Sequence, residues 1–151
     1  MTSSVLSGCA VRSVTKAIPV ASEEKLSQDF QRTVWDGVYT VEQATRGKLL
    51  YRERCTYCHG VFLDGGDSPN GPPLRGIRFV TRWKTQTVAR LFGKISQTMP
   101  LDNPGSLSLE SSGDLVSYIF QENGMPSGDI PLASTPELLQ AIAILDKVSE
   151  Q

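Results

Sequence analysis

Apolar residues recur at helical spacing in four parts of the chain. The first part begins at "TVEQ" (40–43), where Thr40 and Gln43 have the spacing of a capping box, a signal for the start of a helix. The pattern predicts a helix that runs from there to about Arg54. Its apolar positions are Ala44, Leu50 and Tyr51.

Two further helices are predicted in the middle of the chain. Thr85 is placed to cap the first of them, whose apolar residues follow the spacing i, i+3, i+4 and i+7. These residues are Val88, Leu91, Phe92 and Ile95. Ser108 is placed to cap the second helix, and Gly124 is suited to end it. Its apolar side carries Leu115, Val116, Ile119 and Phe120.

The fourth pattern predicts a C-terminal extension helix over about 135–148, opened by Pro136. Its apolar residues are Leu138, Leu139, Ile142 and Leu145. Between the first and second helices, residues 60–76 are rich in glycine and proline and are predicted to form a loop. Strand patterns are weak throughout, so the sequence predicts an all-α fold.

The length of 151 residues suits one domain with extensions. Residues 1–33 are rich in serine, threonine, alanine and charge without a sustained period, and are predicted to form a flexible tail. Residues 34–151 are predicted to form the folded domain, with its core over about 41–124. The sequence has no run of roughly 18 or more apolar residues, so it predicts no membrane-spanning helix.

The formal net charge is −1, which gives no indication of nucleic-acid binding. The charge is nevertheless uneven along the chain. Residues 46–94 contain ten Lys and Arg against three Asp and Glu, whereas residues 110–151 contain seven Asp and Glu against one Lys. A molecule with such a dipole can be oriented by the field of a charged partner.

The segment "CTYCH" (55–59) contains two of the three cysteines and the one histidine of the chain. A thioredoxin-like redox pair would follow a strand in a βαβ setting, which the pattern does not predict. A structural zinc site needs four ligands. The remaining cysteine, Cys9, lies far away in the tail, and no second histidine is present to complete such a set.

Covalent attachment of a haem explains every position of this segment. The thiols of Cys55 and Cys58, one helical turn apart, can add to the two vinyl groups on one porphyrin edge. His59 then lies beneath the iron, and its imidazole nitrogen is a good axial ligand. The sequence therefore predicts one haem c, attached through Cys55 and Cys58.

The second axial ligand is expected among the methionines, since no other histidine is present. A thioether sulfur is a soft ligand that raises the reduction potential. Met99 stands in "QTMP" ahead of the helix capped by Ser108, where an extended arm can reach back over the haem. Met125 follows that helix in a turn and is better suited to packing. Met99 is therefore the predicted partner of His59 at the iron.

Several spaced motifs over about 41–124 resemble those of class I monohaem c-type cytochromes. Besides "CTYCH", Gly47 and Tyr51 on the first predicted helix resemble the crossing of that family's terminal helices. Leu115 and Tyr118 on the later helix resemble the other half of the crossing. The resemblance implies the class I cytochrome c fold, with helices wrapped around one covalently bound haem.

The segment "GPPLRG" (71–76) resembles a loop of the same family. In that loop a proline carbonyl accepts the second N–H of the histidine that binds the iron. The resemblance implies that Pro72 orients His59 and that Leu74 packs on the porphyrin ring.

A narrower resemblance concerns "VWDGVYT" (34–40), "QATRGKLLY" (43–51) and "TMPLDNPGSLS" (98–108), which are similar to haem domains accompanying periplasmic quinoprotein dehydrogenases. It implies an electron carrier, not an enzyme, that takes electrons from a periplasmic or membrane dehydrogenase. The acceptor would be an oxidase or another cytochrome. Two alternatives stay open: a fixed haem subunit of a larger oxidoreductase, and a haem-based gas sensor.

In this fold, the segments around "CTYCH" and Met99 frame the haem edge through which electrons pass. Here these segments are mostly uncharged, and five arginines lie near them in the sequence: Arg52, Arg54, Arg75, Arg78 and Arg82. We therefore expect a small apolar contact ringed by positive charge, suited to a brief encounter with an acidic partner.

The segment "LSGC" (6–9) resembles a bacterial lipobox, in which Cys9 would carry the lipid of a membrane-anchored protein. Haem c is attached on the periplasmic side of the inner membrane, so a periplasmic location is expected. The eight residues before Cys9 are too few for a signal peptide, and a start site assigned too far downstream would explain this. The alternative is a free thiol in the tail.

Overall fold

The computed structural model describes residues 32–66 and 71–147. Helices dominate this part of the chain, which confirms the all-α prediction. In chain order the elements are the strand β1 (Arg32–Thr33), the helices α1 (Val41–Arg54), α2 (Thr56–His59), α3 (Gly76–Trp83), α4 (Val88–Thr98), α5 (Leu109–Glu122) and α6 (Pro136–Leu139), and the strand β2 (Ile142–Ala143). Within the described ranges, no helix is long and apolar enough to cross a membrane.

Helices α1 and α5 cross at Gly47. A side chain at this position would overlap the backbone of Asp114 on α5, so glycine lets the two helices approach this closely. The rings of Tyr51 and Tyr118 meet beside the crossing, with their centroids 5.4 Å apart. Arg46 donates from Nε and Nη2 to the buried carboxylate of Asp114 at 2.8 and 2.7 Å. The glycine therefore permits the close crossing, and the aromatic contact and the ion pair stabilise it.

The predicted starts of α1 and α5 are confirmed. The hydroxyl of Thr40 accepts from the N–H of Gln43, whose side-chain oxygen accepts from the N–H of Thr40. On α5, the hydroxyl of Ser108 accepts from the N–H of Ser111 at 3.0 Å. Gly124 follows the end of α5 with a φ of +74°, a left-handed conformation that glycine adopts without strain.

The predicted start of α4 at Thr85 is wrong. Thr87 is the cap residue of this helix, and Thr85 has a φ of +68°. The reason is a contact with a distant segment: the N–H of Thr85 donates to the carbonyl of Ile144 at 2.9 Å, and the N–H of Ile144 donates to the carbonyl of Gln86 at 2.8 Å. This pairing holds residues 85–86 outside the helix.

The C-terminal extension helix predicted over about 135–148 is also wrong in its length. Helix α6 ends at Leu139, and the chain then enters β2, which pairs in parallel with β1. Ile142 and Ile144 are buried in this extended conformation, whereas Leu138 on α6 is 64% exposed. Pairing with β1 and burial of the β-branched residues therefore favour a strand over further helix.

The segment before α1 packs onto the domain. Its buried residues are Val34, Val38 and Tyr39. The indole Nε1 of Trp35 donates to the carbonyl of Leu145 at 2.9 Å, so this segment and the C-terminal segment lie together. The prediction of a flexible tail over residues 1–33 is wrong at its end, because Arg32 and Thr33 form β1 and pair with β2. The rest of the predicted tail, including Cys9, lies outside the described residues.

Candidate functional site

A cavity of about 700 Å³ is lined by residues of α1, α2, α4 and α5 and of two loops. All six residues that the sequence predicts for the site line this cavity: Cys55, Cys58, His59, Pro72, Leu74 and Met99. They come from three separate parts of the chain. The fold therefore gathers them around one space.

The "CTYCH" segment lies at the junction of α1 and α2. The N–H of Cys55 donates to the carbonyl of Tyr51 at 2.9 Å, and the N–H of His59 donates to the carbonyl of Cys55 at 2.9 Å. Cys55 and Cys58 are free thiols, and both are half-buried. The segment follows a helix and not a strand, which is not the setting of a thioredoxin-like redox pair.

His59 is held by the backbone of the loop rich in glycine and proline. Its side chain is buried, and Nδ1 lies 2.8 Å from the carbonyl oxygen of Pro72. Since a carbonyl only accepts, Nδ1 carries a proton, and in the neutral imidazole this leaves the lone pair on Nε2. Nε2 is therefore the ring atom able to bind a metal ion, and the bond on the opposite side of the ring orients it.

Glycine allows this loop to pack closely against the cysteine-containing turn. A side chain at Gly71 would overlap the backbone of Cys58. Further along, the N–H of Leu74 donates to the carbonyl of Leu63 at 2.8 Å and ties the two ends of the loop together. These contacts on either side of Pro72 hold its carbonyl in place.

Of the two methionines in the described ranges, only Met99 lines the cavity. Met99 directly follows α4 and is extended, with a φ of −116° and a ψ of 151°. The chain continues along the cavity through residues 100–103. Met125 is 2% exposed and lies elsewhere, where its carbonyl accepts from the hydroxyl of Tyr39 at 2.7 Å.

Most of the remaining wall is apolar, and the sequence did not identify it as part of a site. The buried aliphatic residues of this wall are Leu91, Ile95, Leu107, Leu115 and Ile119. The helical spacing of four of them predicted burial but not the cavity that they face, and Leu107 lies outside any helix. Burial raises the pKa of the Cys55 thiol to about 11 and also raises the pKa of the Tyr51 hydroxyl. The wall is therefore an unfavourable environment for charge.

The donors and the wall fit a covalently attached haem. A volume of about 700 Å³ lies within the range of cofactor sites, about 300–1,000 Å³. Apolar side chains suit the faces of a porphyrin, and two free thiols in the same cavity suit thioether bonds. An imidazole and a thioether are a donor pair used by c-type cytochromes.

Comparison with protein families agrees with this fit. Residues 42–119 match the family described as cytochrome c oxidase, cbb3-type, subunit III. The matched range covers slightly more than half of the chain, runs from the start of α1 into α5 and contains all six predicted site residues.

Individual proteins show the same likeness. The thiosulfate dehydrogenase of Allochromatium vinosum is 36% identical over 95 residues, a match that covers 55% of this chain and 34% of that protein. The chain thus spans about a third of the length of this curated relative. The crystal structure of the sulfane dehydrogenase SoxCD from Paracoccus pantotrophus matches with a TM-score of 0.50 and 20% identity, over 86% of this chain and 68% of that chain. The structural match shows a shared fold.

Proposed function

The chain belongs to the c-type cytochromes, in the family of cbb3-type cytochrome c oxidase subunit III, and we propose that it carries single electrons from a dehydrogenase to a downstream acceptor. Membership of the family brings the class I cytochrome c fold, covalently bound haem c and a role in electron transfer. The residues that hold the haem, the donor and the acceptor are the subject of the proposal.

One observation carries the proposal: Cys55, Cys58, His59 and Met99 line the same cavity. In the proposed site the two thiols hold the haem through thioether bonds. Nε2 of His59 and the sulfur of Met99 would be the two protein ligands of its iron. Haem c, when bound, supplies an iron that takes up and releases one electron at a time.

The surrounding residues support electron transfer by keeping this site fixed and dry. The carbonyl of Pro72 accepts from Nδ1 of His59 and so makes the imidazole a stronger electron donor. Leu74 and the apolar wall limit the access of water, which helps to set the reduction potential. With His59 and Met99 both engaged, no axial position is left for a substrate, which favours a carrier over an enzyme.

The proposed contact surface for redox partners lies around the cysteine-containing turn. Tyr57, Val61 and Phe62 are 90%, 64% and 68% exposed. Arg75 reaches the same place, because its Nη1 donates to the carbonyl of Phe62 at 3.4 Å. Arg52 is exposed in the last turn of α1, next to the same turn. These residues support a small apolar contact with positive charge beside it, suited to an acidic partner.

Charge at the mouth of the cavity is mixed and does not add to this attraction. Glu53 and Asp102 line the cavity together with Arg54 and Lys94, and all four are exposed. Arg52, Arg75, Arg78 and Arg82 all lie outside the described cavity lining. Of these four, Arg75 contacts Phe62 of the proposed surface, and Arg52 lies in the helical turn before Cys55. The proposed attraction of an acidic partner therefore depends mainly on Arg52 and Arg75.

The proposed electron donor is a dehydrogenase on the periplasmic side of a bacterial inner membrane. The Allochromatium relative is a thiosulfate dehydrogenase, which supports this class of donor. The proposed acceptor is an oxidase or a further cytochrome. Covalent haem attachment supports the periplasmic location, and a lipid on Cys9 would anchor the protein to the membrane there.

A fixed haem subunit of a larger oxidoreductase is the second candidate. Two observations favour it: the family is described as a subunit of an oxidase, and the chain corresponds to about a third of a longer dehydrogenase. Purification from native membranes at high salt separates the two functions. A carrier held by charge leaves its partners under these conditions, whereas a subunit stays in its complex.

A redox titration of the purified protein, under argon and under carbon monoxide, tests the carrier function. We expect a single one-electron transition and a ferrous spectrum that carbon monoxide does not change, because His59 and Met99 occupy both axial positions. A ferrous spectrum that shifts under carbon monoxide would contradict the proposal and favour the gas-sensor alternative.

A further inference from the structure

Asn123 joins the end of α5 to the loop that holds His59. Its Nδ2 donates to the carbonyl of Leu74 at 2.9 Å, and its Oδ1 accepts from the N–H of Gly76 at 2.9 Å. The same Nδ2 donates to the carbonyl of Ile119 at 2.7 Å, within α5. One half-buried amide thus uses both its donor and its acceptor to hold the end of the loop against the helix.

These contacts continue along the loop to the histidine. Pro72, whose carbonyl accepts from Nδ1 of His59, is separated from Leu74 only by Pro73. Two consecutive proline rings restrict the backbone, because each fixes its own φ. A displacement of Leu74 is therefore transmitted to the carbonyl of Pro72 and is not absorbed between them.

We propose that Asn123 is a positioning residue for the haem site: by fixing the loop at Leu74 and Gly76, it fixes the hydrogen bond between Pro72 and His59. The inference rests on the proposed function, because it takes His59 as an axial ligand. Sequence patterns gave Asn123 no such role, since its partners lie 49 and 47 residues away in the chain.

An amide is required at this position. Aspartate has the same shape and keeps an acceptor for the N–H of Gly76. It has no donor, however, and it places a second oxygen against the carbonyl of Leu74. Asn123→Asp therefore removes both contacts that Nδ2 donates, to the carbonyls of Leu74 and Ile119, with almost no change in volume. Asn123→Ala removes all three side-chain contacts without adding charge.

Gln43 offers a matched control elsewhere in the domain. Its Nε2 donates to the carbonyl of Leu132 at 3.0 Å, and its Oε1 accepts from the N–H of Leu132 at 2.6 Å. It is thus also an amide that binds the backbone of a distant segment, but neither contact involves the loop at 71–76. Gln43→Glu removes a donor from a main-chain carbonyl in the same way as Asn123→Asp.

The test follows exchange of the Nδ1 proton of His59 with solvent, by NMR of the ferrous protein with haem bound. Global unfolding is measured on the same samples. Asn123→Asp and Asn123→Ala should speed exchange about tenfold beyond the change in global stability, an effect equal to about 1.4 kcal/mol. Gln43→Glu should speed exchange only as far as it lowers global stability.

The midpoint potential gives a second readout that a purely structural role would not move. A loosened Pro72 carbonyl makes the imidazole of His59 a weaker donor, so the ferric state loses stability and the potential rises in Asn123→Ala, which adds no charge. The potential of Gln43→Glu should equal that of the wild type. Asn123→Ala keeps the test valid if the charge in Asn123→Asp prevents folding.

The inference would be overturned if, after correction for global stability, the Nδ1 proton exchanges equally fast in the Asn123 and Gln43 variants and the midpoint potentials are unchanged. Asn123 would then be a helix cap only. That outcome leaves the carrier function untouched. Absence of covalent haem from the wild-type protein would instead overturn the proposed function and this inference with it, so the two failures are distinguishable.

Discussion

The ring nitrogen Nδ1 of His59 lies 2.8 Å from the carbonyl oxygen of Pro72, 13 residues further along the chain. Because the carbonyl can only accept, this contact determines which nitrogen of the imidazole is free to bind a metal ion. It also accounts for the composition of the loop, since Gly71 must lie against the backbone of Cys58 for Pro72 to reach the ring. The "CTYCH" segment and the loop are therefore packed as one structural unit.

Met99→Ala should open one axial side of the iron. Without the thioether the ferrous protein should bind carbon monoxide, and its midpoint potential should fall. The matched control is Met125→Ala, because Met125 is buried but lies outside the cavity lining. The control should lose about 2–5 kcal/mol of unfolding free energy and bind no carbon monoxide. If only the Met125 variant binds carbon monoxide, Met125 is the ligand and the assignment of Met99 is wrong.

Gly47→Ala should push α1 and α5 apart. The added methyl group would overlap the backbone of Asp114, so we expect a loss of about 1–3 kcal/mol or more in unfolding free energy. Gly93→Ala is the control, because the nearest atom to a side chain there is Nε2 of Gln97 at 3.9 Å. Alanine in that helix should add about 0.5–1 kcal/mol. Denaturant unfolding of the two variants measures both effects. Equal unfolding free energies for Gly47→Ala and Gly93→Ala would contradict the close approach of α1 and α5 at Gly47.

Reduction by an anionic reagent should slow as ionic strength rises. In the described ranges, neither Arg52 nor Arg75 has a carboxylate within 4.0 Å, so both can attract an anion. Salt screens this attraction over about 8–10 Å near physiological ionic strength. Stopped-flow reduction by dithionite, an anionic reductant, compared between the wild type and an Arg52→Gln, Arg75→Gln variant, measures it. A wild-type rate that is flat or rises with salt would eliminate the attraction.

Features that depend on neighbouring residues could be predicted from the sequence. The capping box of Thr40 and Gln43 and the cap at Ser108 need only a spacing of three residues, and the structure contains both. The "CTYCH" segment lies within two helical turns, so its chemistry can be recognised without knowledge of the fold. The position of Met99 ahead of the helix capped by Ser108 likewise restricted the choice of a second ligand.

Features that depend on distant segments could not be predicted in this way. The start of α4 moved because Thr85 pairs with Ile144, and the end of α6 moved because Ile142 lies in β2. The sequence patterns did not predict helix α3, which has no capping residue to mark its start. Phe79 is its one buried residue, and its cap makes no side-chain hydrogen bond. The contacts of Asn123 with the loop depend on the packed fold and have no local pattern.

The central claim is that Cys55 and Cys58 attach one haem covalently. Its most direct measurement is to denature the purified protein, extract it with acidified organic solvent and assay the polypeptide for haem. The account predicts that haem stays with the wild-type chain and with a Cys9→Ser control, and that Cys55→Ser combined with Cys58→Ser loses it. Haem that leaves the wild-type chain on extraction would contradict the account.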